Sequence, residues 1–162
     1  MPTYVEQGAA DLGIVGEDVL AEGERNVAKV LDLKAGACRM VVAAPLEHQT
    51  LLEGSIAHPL RIATKYPAVA TGYFRRKGIP VEIIRLNGSV EVAPSTGLAD
   101  GIVDICSTGA TLRDNGLLAL DEVLSVSARL IANRASLRLK RRRISEIVSA
   151  LDAEINSGRR SK

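Results

Sequence analysis

The sequence predicts an α/β protein built as two related lobes, and three observations carry that expectation. Aromatic residues are scarce, with three Tyr, one Phe and no Trp in 162 residues, although 46% of the chain is hydrophobic. The core must therefore be made of Val, Ile, Leu and Ala, which suits strands covered on both faces by helices. Short apolar runs alternate along the chain with helix-like segments, the pattern of an α/β fold with largely parallel pairing. The third observation is a short echo. Gly8-Ala9-Ala10-Asp11 leads into Leu12-Gly13-Ile14-Val15, and Gly97-Leu98-Ala99-Asp100 leads into Gly101-Ile102-Val103. A Gly-x-Ala-Asp turn that twice feeds an apolar strand suggests two similar lobes facing a ligand cleft. Chance similarity of strand-opening turns would leave the same trace.

In chain order, residues 12–15 form a buried strand after Gly8 and Asp11. Residues 40–44 form another, stopped by Pro45, and residues 61–64 a third. Pro67 opens a helix at a position where its missing N–H costs nothing, and Gly78 closes it. Residues 81–86 read as a strand before the Asn87-Gly88 turn, and residues 89–96 as a helical turn or two. Residues 102–105 are again a strand. In the tail, Ile144, Ile147, Val148, Leu151 and Ile155 fall on one helical face, with Asn156, Ser157 and Gly158 as a stop.

Composition narrows the function classes. A charged fraction of 25% beside this hydrophobic content is that of a globular domain, not a disordered chain. The net charge of +2 favours no class of partner. The basic run Lys140-Arg141-Arg142-Arg143 reads as a solvated entry to the tail helix; with so few aromatics there is little to stack on bases, so no nucleic-acid partner is expected. Cys38 and Cys106 lack C-x-x-C spacing and read as reduced residues, while His48 and His58 have no second ligand at a zinc spacing. No apolar stretch is long enough to cross a bilayer, and Met1-Pro2-Thr3-Tyr4 does not read as a signal peptide. Cytoplasm is the expected compartment.

The chemistry lies between Glu91 and Leu112. The strand at 102–105 delivers Asp104 to its carboxyl end, and the loop Ser107-Thr108-Gly109-Ala110-Thr111 follows before a short helix begins at Leu112-Arg113. Small residues and Gly109 let backbone N–H groups converge, three hydroxyls add donors, and the helix start adds partial positive charge. These are the parts of a phosphate cradle. Asp104, set back from the loop, suits the hydroxyls of a ribose or a Mg²⁺ bridging them. Alone, Ser-Thr-Gly-x-Thr also reads as a polar strand-to-helix turn with Thr capping, and it lacks the Lys of a Walker A loop.

The longer pattern is more specific. Glu91, Gly97, Ala99, Ile102, Asp104, Ile105, Thr108, Gly109, Thr111 and Leu112 stand at spacings that together resemble the signature of the ATP phosphoribosyltransferase family. Flanking segments are similar to family segments too: Pro2-Thr3-Tyr4-Val5 with residues 8–16 and Asp18, then residues 61–67, 84–90 and 129–134. The likeness extends over nearly the whole chain.

That resemblance implies a two-lobed type II periplasmic-binding-protein-like fold, with residues 1–39 and 134–162 in the first lobe and 40–133 in the second. The reaction implied is transfer of the phosphoribosyl group of phosphoribosyl pyrophosphate (PRPP) to N1 of ATP with release of pyrophosphate, the first step of histidine biosynthesis. Asp104 and Glu91 would be the catalytic residues, and Asp104, Ser107, Thr108, Gly109, Ala110 and Thr111 would bind PRPP. ATP would be approached around Gly13, Gly16 and Asp18. Mg²⁺ would be the cofactor, carried on the substrate and touched by Asp104. No regulatory domain follows the tail helix, so the chain resembles the family's short form. The partners implied are further copies of the chain and a regulatory subunit related to histidyl-tRNA synthetase.

One departure matters. The family's opening strand–helix–strand unit, with its Lys-Gly-Arg turn, has no counterpart before Met1. The resemblance then implies an incomplete first lobe, residues 12–15 short of a neighbouring strand, and a chain that alone is a poor catalyst and an unstable or sticky monomer. Two rival readings stand beside this one. Another phosphoribosyltransferase class places two adjacent acids before its loop, where this chain has Val103-Asp104. A non-catalytic two-lobed phosphate or nucleotide-binding module would keep the cradle without needing Glu91.

Overall fold

The computed structural model describes residues 1–53 and 58–157, so the helix stop expected at Gly158 lies outside the described residues. The chain runs through α1 (Pro2–Glu6), β1 (Leu12–Gly16), α2 (Glu17–Glu22), β2 (Val27–Asp32), β3 (Cys38–Pro45), β4 (Leu60–Thr64) and α3 (Pro67–Lys77). It continues through β5 (Val81–Arg85), a 3-10 turn at Val90–Val92, β6 (Gly101–Cys106), α4 (Ala110–Asp114), β7 (Leu117–Val126), β8 (Ala128–Asn133), α5 (Arg134–Leu139) and α6 (Arg141–Ser157). Two compact units result: Met1–Ala37 with the chain from Val126 onwards, and Cys38–Ser125. The crossings therefore fall at 37/38 and 125/126, not at 39 and 134. The second differs because β8 is the central strand of the first unit's sheet and cannot belong to the other.

In the first unit the sheet order is β1-β8-β2, with both pairings antiparallel. β1 is paired along its whole length with β8, from Leu12 opposite Ala132 to Gly16 opposite Ala128, so residues 12–15 do have a neighbour, but on one side only: β1 is an edge strand of this sheet. Val5, Val15, Leu20, Val27 and Ile131 form its core, with Ala10 packed against them. Along α6 only Ile144 is buried; Ile147 is 46% exposed. The tail helix's apolar face is thus half covered, and Val30, Leu137, Ile144 and Val148 line an open groove of about 470 Å³ beside it.

The second unit has the sheet order β5-β4-β6-β3-β7. β4 pairs in parallel with β5 and β6, whereas β3 pairs antiparallel with β6. Pairing across the chain is therefore mixed, not largely parallel. Parallel neighbours require a crossover segment between them, as α3 provides between β4 and β5. α3 forms where expected: Pro67 stands in its first turn and Gly78 caps it with φ +71°, a left-handed conformation costly for any residue with a Cβ. Val41, Ala43, Ala63, Ile102 and Leu117 are among the small aliphatic residues of the core, with Phe74 buried on α3.

The Gly-x-Ala-Asp echo is a shared local structure. Gly8 N–H bonds to the Val5 carbonyl at 3.1 Å, and Gly97 N–H to the Pro94 carbonyl at 3.0 Å. Both glycines are left-handed, at φ +77° and +72°. The aspartates that follow tie down the strands they open. Asp11 accepts from Ser136 Oγ at 2.6 Å and Lys140 Nζ at 2.7 Å, and Asp100 accepts from Arg61 N–H at 2.8 Å and Arg61 Nη2 at 2.6 Å.

Candidate active site

The carboxyl-terminal half of β6, the middle strand of the second unit's sheet, places Asp104 half-buried opposite Val41 of β3. The chain then leaves the sheet as Ser107 and Thr108, both exposed, turns at Gly109 with φ +76°, and enters α4. The turn needs glycine, because a Cβ there would be strained and would come within 3.2 Å of Arg113 Nη1. Thr108 Oγ1 accepts from Ala110 N–H at a long 3.4 Å, and Arg113 Nη1 donates to the Thr108 carbonyl at 3.4 Å. The loop is lightly tethered. A ligand with stronger acceptors can take these donors.

Glu91, in the 3-10 turn, joins this loop around one cavity of about 290 Å³. Asp104, Ser107, Thr108, Gly109 and Thr111 line it, together with Ile105, Cys106 and Leu112. Ala110 is not in the lining; its exposed methyl lies at the start of α4. Burial pushes the Asp104 carboxyl above the ordinary carboxylate range. The Ile105 N–H, 2.8 Å from its Oδ1, works against that shift, as does the charge of Lys65, while Glu91 adds to it. A perturbed acid in a polar cavity at the carboxyl ends of strands is where ligand chemistry is expected in open α/β sheets. Among the described residues, no cluster of three or more metal-ligating side chains is found.

Comparison of the whole chain with known proteins gives its family. Residues 1–153 match the family model described as HisG: ATP phosphoribosyltransferase. The ATP phosphoribosyltransferase of Caldanaerobacter subterraneus subsp. tengcongensis is 51% identical over 158 residues, covering 98% of this chain and 73% of that protein. This chain belongs to the ATP phosphoribosyltransferase family. The ATP phosphoribosyltransferase of Citrifermentans bemidjiense agrees, at 50% identity over 96% of this chain and 73% of its own length. Among solved structures, the ATP phosphoribosyl transferase (HisG:HisZ) complex from Thermotoga maritima matches with a TM-score of 0.82 at 39% identity, covering 96% of this chain and 75% of that one. The VFT2 domain of Bordetella pertussis BvgS matches with a TM-score of 0.58 at 16% identity, over 96% of this chain and 66% of that one, which bears on fold alone. The fold is the two-lobed type II periplasmic-binding-protein-like α/β fold.

Membership makes the chain a glycosyltransferase of the pentosyl-transfer class, at the first step of histidine biosynthesis. The reading as a non-catalytic binding module is not favoured. Within the ATP phosphoribosyltransferase frame, Glu91, Asp104, Ser107, Thr108, Gly109 and Thr111 are brought together as the spacing suggested. The residues expected on the ATP side lie in the first unit and have local packing roles. Gly13 is buried in β1, where a Cβ would come within 2.8 Å of Val5. Gly16 caps α2 and makes room for Asp18, whose Oδ1 would lie 2.1 Å from a Cβ there. Sequence reasoning did not single out Lys65, whose charge acts on Asp104. Local spacing gives no sign of this, since the two are brought near one another only by the pairing of β4 with β6. Among the described residues, no helix is long and apolar enough to cross a membrane.

Proposed function

We propose that the cavity of the second unit is the PRPP site, and that the chain transfers the phosphoribosyl group of PRPP to N1 of ATP. One observation carries the reading: Asp104, Glu91 and the hydroxyl-rich loop line a single cavity. The loop from Ser107 to Thr111 takes the 5-phosphate on backbone N–H groups and hydroxyls, with the start of α4 adding partial positive charge. Ala110 contributes its backbone. Asp104 binds the ribose hydroxyls. As pyrophosphate leaves C1, positive charge grows on the sugar ring, and the carboxylates of Asp104 and Glu91 stabilise it from a partly desolvated position. Attack by an adenine nitrogen on C1 needs no protein nucleophile, so positioning and charge stabilisation carry the catalysis.

The donor set fits a substrate-borne Mg²⁺. Two carboxylates in one cavity suit a hard cation that keeps waters and substrate phosphate oxygens as its other ligands. Asp104 would touch the ion, which would offset charge on the leaving pyrophosphate. ATP is assigned to the first unit around Gly13, Gly16 and Asp18. The first turn of α2 carries Glu17 and Asp18, so this helix start suits adenine or ribose rather than the triphosphate. Similarity to the Thermotoga maritima HisG:HisZ complex supports assembly with a HisZ-type regulatory subunit. Further copies of the chain and a cytoplasmic location complete the reading.

The test is Thr111→Val. Charge-assisted hydrogen bonds are worth about 1.5–3 kcal/mol, so losing one weakens PRPP binding about 10- to 100-fold. Thr111 is exposed, so folding should be little affected. Unchanged PRPP affinity by titration calorimetry would remove the cradle from the mechanism.

A further inference from the structure

The second unit's cations are unevenly committed. Arg61 is bound to Asp100 at 2.6 Å and Lys77 to Asp121 at 2.9 Å. Arg113 reaches the Thr108 carbonyl. Lys65 is exposed and makes no ion pair within 4.0 Å among the described residues. Its place in the sheet is specific. Thr64, the last residue of β4, is in parallel register with Val103 of β6, so the next residues along the two strands are Lys65 and Asp104. The Thr64 hydroxyl fixes this junction by donating to the Val103 carbonyl at 2.7 Å and accepting from Tyr66 N–H at 2.9 Å. Lys65 thus emerges at the carboxyl edge of the sheet, one strand away from the cradle, near enough for its charge to act on Asp104.

We propose that Lys65 is a substrate-positioning residue whose ammonium binds the pyrophosphate oxygens of PRPP, beside the acid pair Asp104 and Glu91. This rests on the reading of the cavity as the PRPP site. The phosphate cradle follows β6 in the chain, and Asp104 with Glu91 occupies the ribose position. Lys65 directly follows the end of the adjacent strand, β4, and is not part of the cavity lining. The 5-phosphate and the pyrophosphate leave the ribose from different carbons, so a cation near Asp104 but outside the loop's cavity matches the second anionic group. Two carboxylates alone would repel that group. An uncommitted ammonium beside them lets the site hold a sugar that is anionic at both ends.

Two ligands separate the possibilities: PRPP, and ribose 5-phosphate, which lacks the pyrophosphate. Titration calorimetry on the full chain should show Lys65→Met weakening PRPP about tenfold while ribose 5-phosphate binds within about twofold of the original. Lys65→Arg, which keeps the charge, should return PRPP to within about threefold. Lys65→Gln serves as a second neutral variant if Lys65→Met does not fold. Unchanged PRPP binding in the neutral variants, or equal weakening of both ligands, overturns the proposal. Thr111→Val tests the underlying reading separately, because it should weaken both ligands. If it weakens neither, the cradle reading fails whatever Lys65 does.

Discussion

Asp104 turns its Oδ1 onto the N–H of Ile105, 2.8 Å away, while Glu91 stands near it as a like charge. Burial is the main reason its carboxyl lies above the ordinary range. An acid with a raised folded pKa holds its proton more tightly folded than unfolded. Ionised Asp104 therefore costs stability at neutral pH, and that cost disappears as pH falls through the raised value. Asp104→Asn keeps an acceptor for Ile105 and removes the charge. It should raise the unfolding temperature at pH 7 by about 1–3 °C, with a smaller gain at pH 4, while lowering pyrophosphate release. Scanning calorimetry at both pH values decides; a variant less stable at pH 7 would mark Asp104 as a structural acid.

At the other end of β6 the sign reverses. Burial disfavours the charge of Asp100, but the Arg61 guanidinium and backbone N–H outweigh it and hold its carboxyl below the ordinary range. A depressed carboxylate contributes stability fully present above its unfolded pKa, about 4, and lost as pH falls through the folded value. The pair is partly exposed, 43% at Arg61 and 24% at Asp100, so its Coulomb share is modest. Asp100→Ala should lower the unfolding temperature by a few degrees at pH 7 and by less near pH 3, with PRPP affinity unchanged. Asp100→Asn should lose less, because it can still accept from Arg61 N–H. Losses that stay the same between pH 7 and pH 3 would show that the charge contributes nothing.

A third tie holds α3 to β7. Tyr73 Oη donates to Asp121 Oδ2 at 2.5 Å, and Lys77 pairs with the same carboxylate at 2.9 Å. Burial and this bond push the Tyr73 hydroxyl well above its usual range; the Tyr73 bond, then Lys77, lower Asp121. Asp121 is 36% exposed at its side chain, so Tyr73→Phe should cost about 1 kcal/mol, not the larger value of a fully buried charged bond. Urea unfolding measures it. An unchanged midpoint would mean the bond is not kept in solution.

What was legible in the sequence was local. β1, β3, β4, β5 and β6 are apolar runs marked off by Gly, Pro or Asp, and α3 lies between Pro67 and Gly78. The cradle was legible because its residues follow one another from β6 into α4. Elements defined by distant partners were not. α1 is five residues long, too short for a periodic signal, yet Val5 is fully buried beneath the first unit's sheet. β7 mixes Asp121 and Glu122 with leucines, and β8 runs on from it after Ser127. The direction of pairing was hidden for the same reason, and so was Lys65.

Asn133 shows how much one such distant contact carries. Its Oδ1 accepts from Ala135 N–H at 2.9 Å and Ser136 N–H at 3.0 Å, capping α5. Its Nδ2 donates to the Val5 carbonyl at 2.8 Å and the Glu6 carbonyl at 3.2 Å, at the end of α1. One amide thus satisfies helix amides on one side and helix carbonyls on the other, while only 9% exposed. Asn133→Asp keeps the cap but sets a carboxylate against two carbonyls, losing the donor. Asn133→Ala loses both ends. An N-cap is worth about 0.5–2 kcal/mol, and a buried polar group left unpaired costs about 1–3 kcal/mol. Asn133→Ala should therefore lose about 2–4 kcal/mol, and Asn133→Asp a smaller amount that grows at neutral pH, where the new carboxylate is charged. Urea unfolding of the two variants at pH 7 and pH 4 separates the contributions. If Ala and Asp lose the same amount at both pH values, the cap adds nothing; if neither loses stability, the tie from α1 to α5 does not hold the first unit together.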